Sequence, residues 1–471
     1  MARGCPSAIR SQGPPAKGAT TLPLRRGWVS CWGRRAGLLL LCPVALRTGS
    51  FWCRLAEWRI MELNPEYRLF DGNMFVQMRG LLDGETPPAD RELLDMSIGE
   101  PQIAGGDLLA QSLAAYNADW QYYPKATGHP RFTAAIEGYV RRRWPSAAGL
   151  LATGMIDIER QMLPVPGTRE PLGLMGGLVR GTKPRAKALI ANPYYHAWRA
   201  GALASGGEIR YLNAVASDGF VPDLAAQPPE LLADTTIAYL CSPTNPQGGV
   251  MSIAQMKAAI RTARQHAFLL VMDECYADIW RGSPPPGALE AAAEIHAEEG
   301  SDPAQDPLRN IVILNSLSKR SSAAGLRVGF IIGDRSVISL YGKLIGNSGS
   351  IVPTPLLHVA ADLYDDDDHV AAIRAHYDHS FALATRYLGT VPPAGGFFLW
   401  LPVGDDQMFV RRLMAEQAVR AMPGSFMAET VDGVNPGAGY VRLALVHDHE
   451  RTEESLARVA AIHASGQSGA A

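Results

Sequence analysis

The feature that most constrains the fold is an alternation, between residues 187 and 332, of short apolar runs with helix-like segments. The runs are rich in β-branched residues and end at Asn, Pro, Ser, Asp or Gly, as buried strands do. They are Lys187–Ala191, Thr236–Leu240, Phe268–Met272, Ile311–Leu314 and Val328–Ile332. Between the second and third runs, Ser252–Ala267 carries apolar side chains at helical spacing. This order predicts an α/β fold with a mostly parallel central sheet covered by helices on both faces.

Polar side chains follow three of these runs. Asn245 follows the second run, Asp273 and Tyr276 follow the third, and Lys319 follows the fourth. Ligands of parallel sheets bind outside the carboxyl ends of the strands, so we expect these four side chains to meet at one edge.

An amide, a carboxylate, a phenol and an amine at one edge suit a pyridine aldehyde cofactor. The amine of Lys319 can bind the aldehyde covalently, and Asp273 can pair with the ring nitrogen. Asn245 and Tyr276 can both hydrogen-bond the ring hydroxyl. The pattern therefore predicts a site for pyridoxal phosphate acting as an electron sink.

The phosphate of such a cofactor needs its own donors. Ser316 lies three residues before Lys319, and Arg327 lies eight residues after it. Upstream, Gly167-Thr168-Arg169 opens a helix-like segment, and a helix amino terminus binds phosphate through its free N–H groups and dipole.

Taken in order, these motifs resemble the class I/II, fold-type I pyridoxal phosphate-dependent aminotransferases, over about residues 64–446. The motifs that carry the resemblance are Tyr123–Gly128, Gly167–Glu170, Asn192–Tyr195, Asn245-Pro246, Asp273 with Tyr276, Ser316–Lys319, Gly325 with Arg327, and Arg442.

The resemblance implies a role for each matching residue. The catalytic residues it implies are Lys319, Asp273 and Tyr276. The implied cofactor contacts are Thr168, Arg169, Tyr195, Asn245, Asp273, Tyr276, Ser316, Lys319, Arg327 and, from the neighbouring subunit of a homodimer, Tyr123. The implied substrate contacts are Gly99, Asn245 and Arg442, with the planar guanidinium of Arg442 binding the α-carboxylate in a bidentate manner.

Within the family, several segments are most similar to bacterial succinyldiaminopimelate transaminases; they are Asn64–Arg68, Cys241–Pro243, Asp273–Tyr276 and Ser316–Ser321. The similarity implies transfer of an amino group between glutamate/2-oxoglutarate and N-succinyl-2-amino-6-oxopimelate in lysine biosynthesis. Two alternatives stay open: an aminotransferase for aspartate or another amino acid, and a C–S β-lyase of the same fold.

The net charge of −2 averages two unlike parts, since residues 1–60 carry +9 and the remaining residues −11. An acidic body argues against nucleic acid as a partner, because few cations are left to neutralise phosphates. The apolar stretch over residues 36–46 is too short to span a bilayer, which needs about 20 residues. Beyond residue 60 only Cys241 and Cys275 remain. We therefore expect a cytoplasmic enzyme with small-molecule substrates, no metal site and no membrane association.

We expect residues 1–60 to be a disordered extension, either non-native upstream sequence or a targeting segment. We expect residues 61–104 to form an N-terminal arm and part of a small domain. A large cofactor-binding domain is expected over residues 105–345, and residues 346–471 complete the small domain, with the active site between the two.

Overall fold

The structure is a computed structural model that describes residues 61–103, 106–300, 302 and 305–467. The extension predicted over residues 1–60 lies outside the described residues. From Asn64 onward the chain forms one compact unit.

Twelve strands are present in the described part of the chain. They are β1 (Leu94–Asp95), β2 (Met162–Val165), β3 (Lys187–Asn192), β4 (Glu208–Asn213), β5 (Thr235–Cys241), β6 (Leu269–Asp273), β7 (Ile311–Ser316), β8 (Gly329–Gly333), β9 (Phe398–Pro402), β10 (Val419–Arg420), β11 (Met422–Pro423) and β12 (Tyr440–Ala444).

Sixteen α-helices accompany them over the same residues. They are α1 (Met74–Leu81), α2 (Gly106–Ala115), α3 (Pro130–Arg143), α4 (Pro145–Ala152), α5 (Ile158–Gln161), α6 (Arg169–Leu178), α7 (His196–Ala204), α8 (Pro229–Asp234), α9 (Ile253–Gln265), α10 (Ala288–Glu298), α11 (Leu317–Arg320), α12 (Arg335–Ser348), α13 (Thr354–Asp365), α14 (Asp368–Leu388), α15 (Asp406–Gln417) and α16 (His449–Gln467). No helix in the described ranges is both long and apolar enough to cross a membrane.

The central sheet has seven strands in the order β2-β8-β7-β6-β5-β3-β4. Strands β3 to β7 pair in parallel, which confirms the expected α/β fold. The run at Val328–Ile332 is the exception, because β8 is antiparallel to both of its neighbours. The chain between β7 and β8 contains only the one-turn helix α11 and a short 3₁₀ turn. A connection between two adjacent parallel strands needs a longer crossover, usually a full helix.

The helix predicted over Ser252–Ala267 is α9, and local chemistry sets both of its ends. Ser252 is its N-cap and exchanges two hydrogen bonds with Gln255 in a capping box. The helix ends two residues earlier than predicted because Ala267 has a φ of +51°, outside the right-handed helical region.

Apolar side chains gather in two core clusters. The larger one covers both faces of the central sheet, whose strands β5, β6 and β7 are buried along their whole length. The smaller one surrounds the three-stranded sheet β11-β12-β9 and includes residues of α1, α15 and α16. Helix α14 joins them, with Tyr377 in the larger cluster and Phe381 in the smaller one. The domain boundaries at residues 104 and 345 remain predictions.

Candidate active site

A cavity of about 490 Å³ lies at the carboxyl ends of β5, β6 and β7. Eleven of the twelve predicted site residues line it, namely Gly99, Thr168, Arg169, Tyr195, Asn245, Asp273, Tyr276, Ser316, Lys319, Arg327 and Arg442. Tyr123 is the exception, since it is fully exposed and does not line the cavity.

Lys319 enters the cavity from α11, which begins directly after β7. Ser316 caps this short helix by accepting a hydrogen bond from the backbone N–H of Ser318 at 3.2 Å. The Nζ of Lys319 donates to the carbonyl of Gly99 at 2.6 Å. Burial disfavours the ammonium form and lowers the pKa of Lys319 to about 8. About a tenth of this amine is therefore neutral and nucleophilic at pH 7, far more than for a lysine in water.

Asp273 is the last residue of β6, and it is 3% exposed. One carboxylate oxygen accepts the indole N–H of Trp198 at 3.3 Å, and the other accepts the backbone N–H of Cys275 at 3.3 Å. Burial raises the pKa of Asp273, while these hydrogen bonds and the charge of Lys319 act against that rise. The carboxylate is thus fixed in orientation at the wall of the cavity.

Asn245 and Tyr276 lie side by side in the cavity. The amide nitrogen of Asn245 is 3.4 Å from the hydroxyl of Tyr276. Burial raises the pKa of Tyr276 well above its ordinary value, so the phenol keeps its proton. Two donors therefore point at one position, where a ring oxygen can be held.

An anion cradle forms where α6 begins. Thr168 stands at the N-cap, and the hydroxyls of Ser316 and Ser318 are 2.9 Å apart on the facing element. Arg327 is anchored by the carbonyl of Pro166 at 2.9 Å. Gly167 has a φ of +75°, and a Cβ added there would lie 2.2 Å from a guanidinium nitrogen of Arg327, so a side chain would strain the backbone and displace the arginine. Free helix N–H groups, hydroxyls and a guanidinium together suit a phosphate.

Arg442 is held at the opposite end of the site, in β12. It is 3% exposed and donates to the carbonyl of Ser97 at 2.6 Å and to the side-chain oxygen of Asn245 at 3.3 Å. Its guanidinium also lies over the ring of Phe398, 4.5 Å from the centroid. Burial lowers its pKa to about 10, which leaves it cationic at neutral pH. A buried cation of this kind suits a carboxylate ligand.

The sequence patterns missed several side chains that line the cavity, namely Glu100, His196, Trp198, Cys275, Ser318 and Phe398. Trp198 lies in the first turn of α7, three residues after its N-cap Tyr195, and this helical spacing places the two side chains on the same side of the helix. That spacing was a usable signal for Trp198. His196 had none, and its pKa is lowered to about 4 by burial and by the charges of Arg169 and Arg442.

Within the described ranges, no group of three His, Cys, Asp or Glu side chains could hold a metal ion. The donor set instead fits pyridoxal phosphate. It offers a buried amine of lowered pKa, a buried carboxylate, paired amide and phenol donors, and an anion cradle shaped around Gly167. Each matches one group of that cofactor.

Comparison with known families decides the assignment. The model of the family "aminotransferase class I and II" matches residues 91–459. The chain belongs to the class I/II aminotransferases. It is therefore a transaminase that uses pyridoxal phosphate and acts on amino and oxo acids.

Among similar curated proteins, a 4-dedimethylamino-4-oxo-anhydrotetracycline transaminase of Streptomyces rimosus is 26% identical, over 78% of this chain and 93% of its own length. An LL-diaminopimelate aminotransferase of Syntrophobacter fumaroxidans is 24% identical, over 78% of this chain and 90% of its own length. Among solved structures, an aminotransferase of Neisseria meningitidis superposes on this aminotransferase with a TM-score of 0.76 at 28% identity, covering 84% of this chain and 98% of its own.

Proposed function

We propose that this aminotransferase moves an amino group between glutamate/2-oxoglutarate and N-succinyl-2-amino-6-oxopimelate, a reaction of lysine biosynthesis. The observation that carries the amino-group transfer is the convergence of Lys319, Asp273 and Arg442 on one cavity, while the choice of substrate rests on sequence similarity. The cavity has a reactive amine, a carboxylate for the cofactor ring, and a carboxylate-binding cation.

When bound, pyridoxal phosphate supplies an aldehyde for the substrate amine and a ring that accepts electrons from the substrate α carbon. The amine of Lys319 is the covalent attachment point and, once displaced by substrate, the base and acid that moves the proton at that carbon. The carboxylate of Asp273 would keep the ring nitrogen of the cofactor protonated, and the 3.3 Å hydrogen bond from Trp198 fixes the orientation of that carboxylate.

Binding of both substrates depends on the shared α-carboxylate. Arg442 binds this group, and Asn245 orients the guanidinium through the 3.3 Å hydrogen bond between them. The same clamp serves the amino donor and the oxo acceptor, since a ping-pong transamination uses one site for both. Tyr195, whose hydroxyl accepts a hydrogen bond from Nε of Arg169 at 3.0 Å, would stack on the cofactor ring.

A distal carboxylate of the substrate needs a second cation. The candidates are Arg79, Arg169, Arg320 and Arg327. Arg79 and Arg320 are excluded because they line no part of the cavity, and Arg327 is anchored in the anion cradle. Arg169 remains, exposed at the cavity wall and held by Tyr195. We assign the distal carboxylate to Arg169, in addition to its position beside the cofactor phosphate.

The substrate class is supported by the named activities of relatives. The LL-diaminopimelate aminotransferases of Syntrophobacter fumaroxidans and Moorella thermoacetica are similar to this chain at 24% identity. Their named substrate shares the pimelate backbone with N-succinyl-2-amino-6-oxopimelate, so LL-diaminopimelate is the second candidate.

A half-reaction panel tests the substrate assignment. The amino form of the holoenzyme is mixed with N-succinyl-2-amino-6-oxopimelate, tetrahydrodipicolinate (the cyclised form of the LL-diaminopimelate oxo acid), oxaloacetate and an aromatic oxo acid, and the cofactor absorbance is followed. The first compound should react with the highest kcat/KM. A higher kcat/KM for tetrahydrodipicolinate or oxaloacetate would overturn the assignment and make that compound the substrate. Pyruvate release from cystathionine, with no transfer to 2-oxoglutarate, would indicate the C–S β-lyase.

We also propose a homodimer in which Tyr123 reaches the phosphate site of the partner. Trp120, Tyr122 and Tyr123 form an exposed aromatic segment, with relative exposures of 55%, 66% and 100%. Aromatic residues are typical of protein interfaces. Sedimentation should give a dimer, and Tyr123→Phe should weaken cofactor affinity although Tyr123 lies outside the cavity of its own chain. A fully active monomer would contradict this arrangement.

A further inference from the structure

His196 lines the candidate active site, yet the proposed reaction gives it no role. It is the first residue of α7, and the centroid of its ring lies 4.4 Å from that of the preceding Tyr195. Among the described residues, no group hydrogen-bonds either of its ring nitrogens. Buried polar groups normally find partners in the protein or in a bound molecule. This imidazole is therefore available to a ligand of the cavity.

The imidazole of His196 is uncharged at neutral pH. Burial lowers its pKa to about 4, with further contributions from the guanidiniums of Arg169 and Arg442. The helix dipole acts in the same direction, because His196 stands at the amino terminus of α7. A neutral imidazole has one N–H donor and one acceptor nitrogen. It can therefore hydrogen-bond an uncharged polar group of either kind.

The surroundings of His196 disfavour a cationic ligand. Among the described residues, the charged side chains that act on the imidazole are Arg169 and Arg442, and both are cationic. The two carboxylates that line the cavity, Glu100 and Asp273, act on Lys319 instead. An ammonium beside His196 would face two guanidiniums without a carboxylate to pair with. An amide carries no charge and avoids this repulsion.

The wall of the cavity is open beside His196. A small cleft of about 30 Å³ adjoins the cavity there, since Met74 and His196 line both. The cleft is also lined by the segment over residues 69–73 and by Tyr194 and Arg199. A narrow substituent of a bound substrate can therefore continue past the imidazole.

We propose that His196 hydrogen-bonds the amide of an N-acylated amino group on the substrate, and thereby favours the acylated over the free diamino acid. This role rests on the proposed function, because it assigns the N-succinyl group of that substrate. In N-succinyl-2-amino-6-oxopimelate, the amide nitrogen and the distal carboxylate are bonded to the same carbon. With that carboxylate on Arg169, the amide lies on the side of the cavity where Arg169 acts on His196.

The second candidate substrate differs at this one group. LL-Diaminopimelate carries a free ammonium where the succinylated compound carries the amide. The amide can hydrogen-bond the imidazole through its N–H or its carbonyl, whereas the ammonium meets the two guanidiniums. His196 is therefore expected to set the ratio of the two specificities, beyond any effect on transamination in general.

The test uses the holoenzyme and a matched pair of amino donors, N-succinyl-LL-diaminopimelate and LL-diaminopimelate, which differ only in the acyl group. The half-reaction absorbance gives kcat/KM for each donor, and the ratio of the two values cancels any loss common to both. His196→Leu should lower this ratio about 3- to 10-fold, as expected for the loss of one hydrogen bond. His196→Gln keeps a donor and an acceptor, so it should recover most of the ratio.

The matched control is Ser318→Ala, which removes a polar group from the cofactor end of the same cavity. It acts through the cofactor, so it should change both donors by the same factor and leave the ratio as in the wild type. An unchanged ratio in His196→Leu would overturn the role of His196. A His196→Gln enzyme that recovers none of the ratio would overturn the hydrogen bond.

The outcomes distinguish the role of His196 from the proposed substrate. A wild-type preference for LL-diaminopimelate, with a selective loss for the succinylated donor in His196→Leu, would overturn the substrate and keep the role of His196. A wild-type preference for the succinylated donor, with an unchanged ratio in His196→Leu, would keep the substrate and overturn the role. A wild-type enzyme that uses glutamate but neither donor of the pair would overturn both.

Discussion

The ammonium of Lys319 donates a 2.6 Å hydrogen bond to the carbonyl of Gly99, a residue 220 positions earlier in the chain. The neighbouring Ser97 accepts from Arg442 at 2.6 Å. One short N-terminal segment therefore contacts both the reactive amine and the carboxylate clamp. Its placement decides the distance between the two groups that a substrate must bridge.

We expect Gly99→Ala to disturb this segment. A Cβ at Gly99 would lie 2.3 Å from the ring of Phe398, so the segment must shift, at a cost of about 1–3 kcal/mol. The value of kcat/KM for both half-reactions should fall by about tenfold. Gly72→Ala is the control, because its Cβ meets nothing within 4 Å. Full activity in Gly99→Ala would show that the segment is free to move.

Lys319→Ala should abolish turnover, since it removes both the attachment point and the proton carrier. A loss of at least about 10²–10⁴-fold is expected from the proton transfer alone. The visible absorption band of the lysine-bound cofactor should also disappear. Lys343→Ala, on the exposed side of α12, should keep both the band and the activity. A Lys319→Ala enzyme of normal rate would refute the assignment.

Cofactor uptake by the apoenzyme should depend on pH through Lys319. Burial lowers its pKa to about 8 from an ordinary 10.5, so the amine is protonated and unreactive below about pH 8 and neutral above it. The uptake rate should rise with pH up to about 8 and then level off. Stopped-flow absorbance measures this profile. A rate that keeps rising to pH 10 would mean that burial does not shift the pKa of this amine.

Asp273→Asn should lower kcat by about 10- to 1,000-fold, because a neutral amide no longer favours a protonated ring nitrogen. Trp198→Phe keeps the charge of Asp273 and removes only the 3.3 Å hydrogen bond. Its kcat should therefore fall by only about 2- to 10-fold. Single-turnover kinetics give both values. Equal losses in the two variants would mean that orientation, not charge, is what Asp273 contributes.

Arg442→Ala should raise KM for the amino donor and the oxo acceptor alike, by about 10- to 100-fold, since both present the same α-carboxylate. Arg442→Lys should recover little of the lost substrate affinity, because a single ammonium cannot reproduce the bidentate contact. Arg210→Ala is the control, an exposed arginine of β4 paired with Glu208. If KM changed for only one of the two substrates, Arg442 would not be the residue that binds the α-carboxylate of both.

The sequence by itself determined four of the five parallel strands (β3, β5, β6 and β7) and the residues at their carboxyl edge, but it missed β4. These follow from local patterns: a buried strand shows as an apolar run, and the residue after it lies at the edge by geometry alone. Asp273, Asn245 and Lys319 were placed in this way, and the start of α9 was fixed by the Ser252 cap.

Tertiary structure alone decided the contacts between distant segments. Strand β8 runs antiparallel because the chain before it holds no helix long enough to cross the sheet. The bond from Trp198 to Asp273 and the pairing of Arg320 with Asp278 join residues far apart in sequence. No local pattern encodes such pairs, because packing selects them.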